Sequence, residues 1–351
     1  MPKITVEKLI ECIERSELIA YDTLAGTLAA WKRSDPAALD DSERLANTFI
    51  EAKLLTRWQA DSLLQGRSTN FILGNYKLLG MLGHGRSGSV YLGEHVKGAL
   101  LRAIKVFPVS RAGNATLIAR FLNQATAAAK ITHPNVEGAF DIAQWKRYQY
   151  LVLEYVNGHD LQAIVKNHGP LDHRTAADII RQAADGLAAM HEKGVIHRDV
   201  KPSHLMVDQR GAVKLLDLSL AGFMKDKIDS PDPADDDAIW STFDYLAPEQ
   251  AVDVCLIDPR TDIYSFGCVF YFLLTGHAPF ASRPMVARLL MHQNPERPDV
   301  AAEYPGIPRT LADLCSRMMA KSPEDRPPPA AAVAAILAGI LGDDDGYGGA
   351  A

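Results

Sequence analysis

Apolar residues recur at helical spacing along the first part of the chain. Val6, Leu9, Ile10 and Ile13 fall on one face, the three-to-four-residue recurrence of an amphipathic helix. The same recurrence appears at Leu24, Leu28 and Trp31, then at Leu45, Phe49 and Ile50 after Ser42, then at Leu55, Trp58, Leu63 and Leu64, closed by Gly66. Ser34-Asp35-Pro36 is a polar break of the kind that ends a helix. The pattern predicts a small all-α module over residues 1–67, either a packing extension or a docking or oligomerisation module for a protein partner.

From residue 75 the period changes. Asn75–Leu82 and Tyr91–Gly93 read as strands either side of a glycine-rich turn, and Ala103–Val106 as a third. Tyr150–Val156 is a near-continuous apolar run, the pattern of a buried strand. A helix through Ala176, Ile180, Ala184, Leu187 and Met190 follows, then Val195-Ile196 as a short strand, a polar loop, and Leu205-Met206-Val207 as the strand returning beneath it. Strands thus come first along this stretch and helices afterwards. Ala330–Leu341 is Ala-rich and apolar, too short to span a bilayer and read as a packed terminal helix. Residues 342–351 are expected to be disordered.

Composition narrows the function classes. An apolar share of 47% suits a globular core. With 37 basic against 43 acidic residues the net charge is −6, and no basic-aromatic patch appears, so no nucleic acid is expected. Cys12, Cys255, Cys268 and Cys315 form neither a C-x-x-C pair nor a disulfide ladder, which suits a reducing cytoplasm. Met1 to Glu11 has no apolar stretch of signal-peptide type. A cytoplasmic protein without a membrane partner is the expectation.

The candidate chemistry sits in three polar clusters. Gly83, Gly85 and Gly88 let backbone N–H groups approach phosphates without a side chain in the way. That spacing also occurs in dinucleotide-binding folds, but there the loop joins a strand to a helix, and here it joins two strands. The second cluster is His197-Arg198-Asp199 with Lys201-Pro202, and the third is Leu215-Leu216-Asp217.

Taken in order, these motifs resemble those of the eukaryotic-type (bacterial) serine/threonine protein kinases. The resemblance runs through the glycine loop, Ala103-Ile104-Lys105, Tyr150–Val156, the His-Arg-Asp loop, Asp217 and Ala247-Pro248-Glu249. It implies an α+β domain over 75–340 with the two-lobed protein kinase fold: an antiparallel sheet plus a helix over 75–156 and a mostly helical lobe over 157–340. It implies an ATP-dependent enzyme that phosphorylates Ser/Thr hydroxyls of a protein substrate with Mg2+ or Mn2+. By the same resemblance Lys105 contacts the nucleotide phosphates, Asp199 is the catalytic base, Lys201 contacts the transferred phosphate, and Asp217 holds the metal. Leu82, Gly83, Gly85, Gly88, Val90, Ala103, Glu154, Val156, Asp160 and Leu205 line the ATP site, with Leu153 as gatekeeper. Asp262 holds the catalytic-loop backbone, and Arg326 pairs with Glu249. Small-molecule phosphotransferases share the Lys and the two Asp but lack the Ala-Pro-Glu segment.

Three positions depart from the active pattern. Gln124 stands where a Glu pairs with the lysine, His204 where an Asn ligates metal, and Ser219 where a Gly follows the metal-binding Asp. Imidazole suits softer metals better than Mg2+. The resemblance therefore implies a kinase with weakened or metal-shifted turnover; the alternative is a pseudokinase acting as a nucleotide-binding or nucleotide-free scaffold. The acidic stretch between Asp226 and Asp237 reads as a solvated loop or, alternatively, as carboxylates that replace an activating phosphate and pair with Arg198 or another base, with Ser230, Ser241 and Thr242 as candidate phosphosites.

Overall fold

The structure, a computed structural model, describes residues 4–85, 88–108, 126, 129–146, 148–217, 243–252, 256–294 and 296–345. The chain divides into two compact units, Met1–Gly113 with Phe140–Tyr155 and Asn114–Ala139 with Val156–Ala351.

The first unit opens with four helices, α1 (Val6–Ser16), α2 (Tyr21–Ser34), α3 (Ser42–Glu51) and α4 (Arg57–Leu64). Their starts are set by local chemistry. The Thr5 side chain caps α1 by accepting from the Lys8 N–H, and Asp41 caps α3 by accepting from Glu43 and Arg44. Thr56 and Gln59 form a reciprocal capping box on α4. The predicted faces pack together: Leu9, Ile13, Leu24, Leu45, Phe49 and Leu63 are fully buried in one cluster.

A six-stranded sheet follows, β1 (Ile72–Leu73), β2 (Tyr76–Gly85), β3 (Gly88–His95), β4 (Leu101–Pro108), β5 (Ala139–Trp145) and β6 (Tyr148–Glu154), in the order β1-β2-β3-β4-β6-β5. The helices are not a tethered appendage to it. Trp58 of α4 meets Phe71 and Tyr91 with ring centroids 5.7 and 5.6 Å apart. Gln59 Nε2 donates to the Leu78 carbonyl at 2.7 Å, the Thr56 hydroxyl donates to the Leu79 carbonyl, and Lys77 Nζ donates to the Leu18 carbonyl at 3.0 Å. Between Leu78 and Gly80 the β2–β3 register shifts. A bulge of this kind turns backbone groups out of the ladder, and α4 satisfies them.

The second unit contains α5 (Leu161–His168), α6 (His173–Glu192), α7 (Pro248–Val252), α8 (Pro259–Thr275), α9 (Met285–Gln293), α10 (Val300–Glu303), α11 (Arg309–Met318) and α12 (Ala330–Asp345). A small sheet, β7 (Gly158–Asp160), β8 (Leu205–Asp208) and β9 (Val213–Leu215), completes it. Helix α8 is buried on every side, the expected place for a helix that is apolar all round. Around it lie Ile180, Leu187, Met190, Leu311, Met318 and Leu337.

Two sequence expectations change here. Val195-Ile196 is not a strand; its backbone follows the end of α6, with Val195 N–H donating to the Met190 carbonyl, and the loop beyond is held by a side chain instead of a ladder. Helix α12 continues to Asp345, past the position where disorder was expected to begin; residues 346–351 lie outside the described ones.

Candidate active site

In the first unit, strand register places the predicted nucleotide residues on one face. Val90 of β3 stands opposite Lys105 of β4, which stands opposite Leu151 of β6. Two residues along, Leu92, Ala103 and Leu153 form the parallel row. Side chains two apart on a strand share a face, so Val90, Ala103, Lys105 and Leu153 point the same way. Lys105 is only 3% exposed, so it is no solvated strand lysine. Gly83 and Gly85 end β2 and Gly88 begins β3, with Gly85 paired to Gly88. At Gly88 φ is +121°, and a Cβ there would lie 2.2 Å from the Val106 carbonyl oxygen. No other residue fits that position. Leu82 is half exposed on β2, and Glu154 ends β6 opposite Arg102.

In the second unit, the loop that begins at His197 hangs on one carboxylate. Asp262 of α8 is fully buried. Its Oδ2 accepts from the His197 N–H at 2.8 Å, its Oδ1 accepts from the Arg198 N–H at 2.7 Å, and His191 Nε2 lies 2.8 Å from Oδ2. Arg198 is thereby held at φ +63°, a left-handed conformation that costs a non-glycine residue roughly 1–2 kcal/mol. His197 Nε2 donates to the Leu216 carbonyl at 2.9 Å, and Gln250 Nε2 donates to the Arg198 carbonyl at 2.9 Å. The scaffold roles expected of Asp262 and of the Arg326–Glu249 pair are both present: Arg326 meets Glu249 through two nitrogens, at 2.6 and 2.8 Å.

The loop delivers Asp199, Lys201, His204 and Asp217 to one place. Lys201 Nζ lies 3.5 Å from Asp199 Oδ2. His204 Nδ1 is 2.8 Å from the Asp199 carbonyl oxygen. A carbonyl only accepts, so the proton is on Nδ1. Burial pushes the His204 imidazole down to about 4, against the opposite pull of Asp199. The ring is therefore neutral at pH 7 and its Nε2 carries a lone pair. Nε2 lies 3.7 Å from Asp217 Oδ2. Two acceptors this close fit a cation, and a histidine fixed through its other nitrogen by a carbonyl is the usual arrangement of a metal-binding imidazole. Among the described residues no group of three His, Cys, Asp or Glu could hold a metal unaided. The pair suits a cation that takes its remaining ligands from phosphates.

The other predicted residues fall as follows. Leu205 is fully buried at the start of β8, and Val156 is buried. Asp160 spends one carboxylate oxygen capping α5, accepting from the Ala163 N–H at 2.8 Å. Gln124, Ser219, the acidic stretch and the three candidate phosphosites lie outside the described residues. One residue was missed. Glu137 is buried, and its Oε2 accepts from the Asp217 N–H at 3.1 Å. An isolated acid after an apolar residue carries no periodic or motif signal.

The protein kinase domain family matches residues 76–336. The chain belongs to that family. Among its curated relatives are the probable serine/threonine-protein kinase PknB of Bifidobacterium longum (strain NCC 2705), 30% identical over 72% of this chain and 38% of its own, and serine/threonine-protein kinase PrkC of Bacillus subtilis (strain 168), 31% identical over 73% and 39%. Serine/threonine-protein kinase Pkn1 of Myxococcus xanthus is 34% identical over 72% of this chain and 36% of its own. The chain thus spans about two-fifths of the length of the curated relatives it matches. The crystal structure of the Mycobacterium tuberculosis PknI kinase domain covers 76% of this chain and 97% of its own with a TM-score of 0.59 at 23% identity. That likeness shows the protein kinase fold, here with α1–α4 ahead of it.

Proposed function

We propose that the chain is an ATP-dependent serine/threonine protein kinase whose metal preference is shifted away from Mg2+. The names of its relatives support the reaction class. The observation that carries the reading is the grouping of Asp199, Lys201, His204 and Asp217 on one loop framework. In the transfer, a substrate Ser or Thr oxygen bonds to the γ-phosphorus as its proton passes to Asp199 and the bond from phosphorus to the β–γ bridging oxygen breaks, leaving ADP. Lys201, beside Asp199, presents positive charge to the transferred group. His204 fixes the Asp199 backbone through Nδ1, which leaves Nε2 beside Asp217. Asp217 and His204 would hold a divalent cation, which would supply charge neutralisation for the phosphates. Lys105, Val90 and Ala103, on their shared sheet face, serve the nucleotide. The cytoplasmic setting belongs to the same reading, supported by Cys12, Cys268 and Cys315, which are free and buried.

The test is transfer of label from ATP to a generic protein substrate with Mg2+ and with Mn2+. Native protein transfers label, more with Mn2+, and Asp199→Asn abolishes it. Equal incorporation by native protein and Asp199→Asn removes the kinase reading. His204→Asn raises the Mg2+-dependent rate, roughly tenfold on the usual scale of ligand-shell changes; an unchanged or lower rate removes the metal-shift part alone.

A further inference from the structure

We propose that Glu137 is a positioning residue that holds Asp217 in its cation-binding conformation, an inference that rests on the proposed role of Asp217. The segment before β5 runs parallel to β9. Leu215 N–H donates to the Asn135 carbonyl at 2.9 Å and Glu137 N–H donates to the Leu215 carbonyl at 2.9 Å, with Val136 bridged to Leu215. A continued parallel ladder would hand the next donor, the Asp217 N–H, to the Glu137 main-chain carbonyl. The side chain takes it instead: Glu137 Oε2 accepts from the Asp217 N–H at 3.1 Å.

That substitution ends the ladder one residue early. It frees Asp217 to turn out of the strand at φ +68°, a conformation that L-residues other than Asn and Asp rarely adopt and that persists where surrounding contacts over-determine it. The turn brings Asp217 Oδ2 to His204 Nε2. Glu137 is 7% exposed, so water is a poor replacement for its carboxylate.

Reach and charge are separable. Glu137→Gln keeps an acceptor oxygen at the same reach and loses the charge. Glu137→Asp keeps the charge and draws the carboxylate back by one methylene. The measurement is Mn2+ affinity in the presence of a non-hydrolysable ATP analogue, read from the free Mn2+ signal in electron paramagnetic resonance, beside the metal-free affinity for the analogue. Glu137→Asp should weaken Mn2+ binding about tenfold, the low end for residues that orient ligands. Glu137→Gln should stay within about threefold of native, and metal-free affinity should not move in either. Native Mn2+ affinity in Glu137→Asp, or a larger loss in Glu137→Gln than in Glu137→Asp, overturns the inference. Asp217→Asn separates the two layers: if it binds Mn2+ as native protein does, the cation role of Asp217 falls and this inference with it. If it loses Mn2+ while Glu137→Asp does not, the inference alone falls.

Discussion

Replacing Asp262 by Asn tests how the catalytic loop is held. The change is isosteric, so packing in α8 is unaltered and the effect is one of hydrogen bonding. The carboxylate serves three partners, the N–H groups of His197 and Arg198 and His191 Nε2, at 2.7 to 2.8 Å and out of contact with water. Asn has one acceptor oxygen. Set in the Oδ2 position it keeps His197 and His191, and its NH2 then faces the Arg198 N–H, donor against donor. The opposite flip loses two partners and is worse. The better arrangement gives up one hydrogen bond to a charged group, about 1.5–3 kcal/mol, and leaves a buried donor unpaired. The left-handed strain at Arg198, φ +63°, then favours release of the loop. Unfolding free energy should fall by about 3 kcal/mol in urea titration, and the Arg198 amide should exchange faster. Phosphotransfer should fall about 100-fold, the scale for a small misplacement of a reacting group, with nucleotide affinity retained. A stability within about 0.5 kcal/mol of native, or an equal loss of nucleotide affinity, would refute the argument.

Arg326→Met strands the Glu249 carboxylate, since the fully buried guanidinium is its bidentate partner and also serves the Ala320, Arg260 and Lys321 carbonyls. A loss of about 3–5 kcal/mol is expected in urea titration, with part recovered by adding Glu249→Leu. His292 is buried, with Nδ1 2.8 Å from the Tyr264 hydroxyl. Burial pushes its imidazole down to about 3, so on acidification the unfolded chain takes the proton first. Stability should therefore be complete above about pH 6.5 and decline steadily towards pH 3; His292→Gln should flatten that decline, and an unchanged slope counts against it. Gln59→Leu removes the 2.7 Å bond to the Leu78 carbonyl and half the α4 capping box. It should cost about 1–2 kcal/mol and speed hydrogen exchange along β2, while leaving α5–α12 unaffected.

What the sequence determined by itself is what neighbours along the chain decide. The helical faces of α1 to α4, the caps at Thr5, Asp41 and Thr56, and the glycine turn into β3 rest on contacts within a few residues. Those contacts keep their spacing in any chain that forms a helix or hairpin. Motif order carried the rest of the legible site, because Lys105, Asp199, Asp217, Asp262 and Arg326 are recognised by their surroundings in sequence. Tertiary structure decided what depends on atoms far apart in the chain. The expected strand at Val195-Ile196 is absent, since Val195 stays tied to the end of α6, and a carboxylate 65 residues beyond His197 takes the N–H groups of the loop that follows. The His204 tautomer is set by a carbonyl that only the folded loop brings within reach. Glu137 meets Asp217 across 80 residues, through a short parallel pairing that no local pattern announces. The same holds for α4 and β2, where helix caps written in the sequence find their second partners on a bulge that only packing exposes to them.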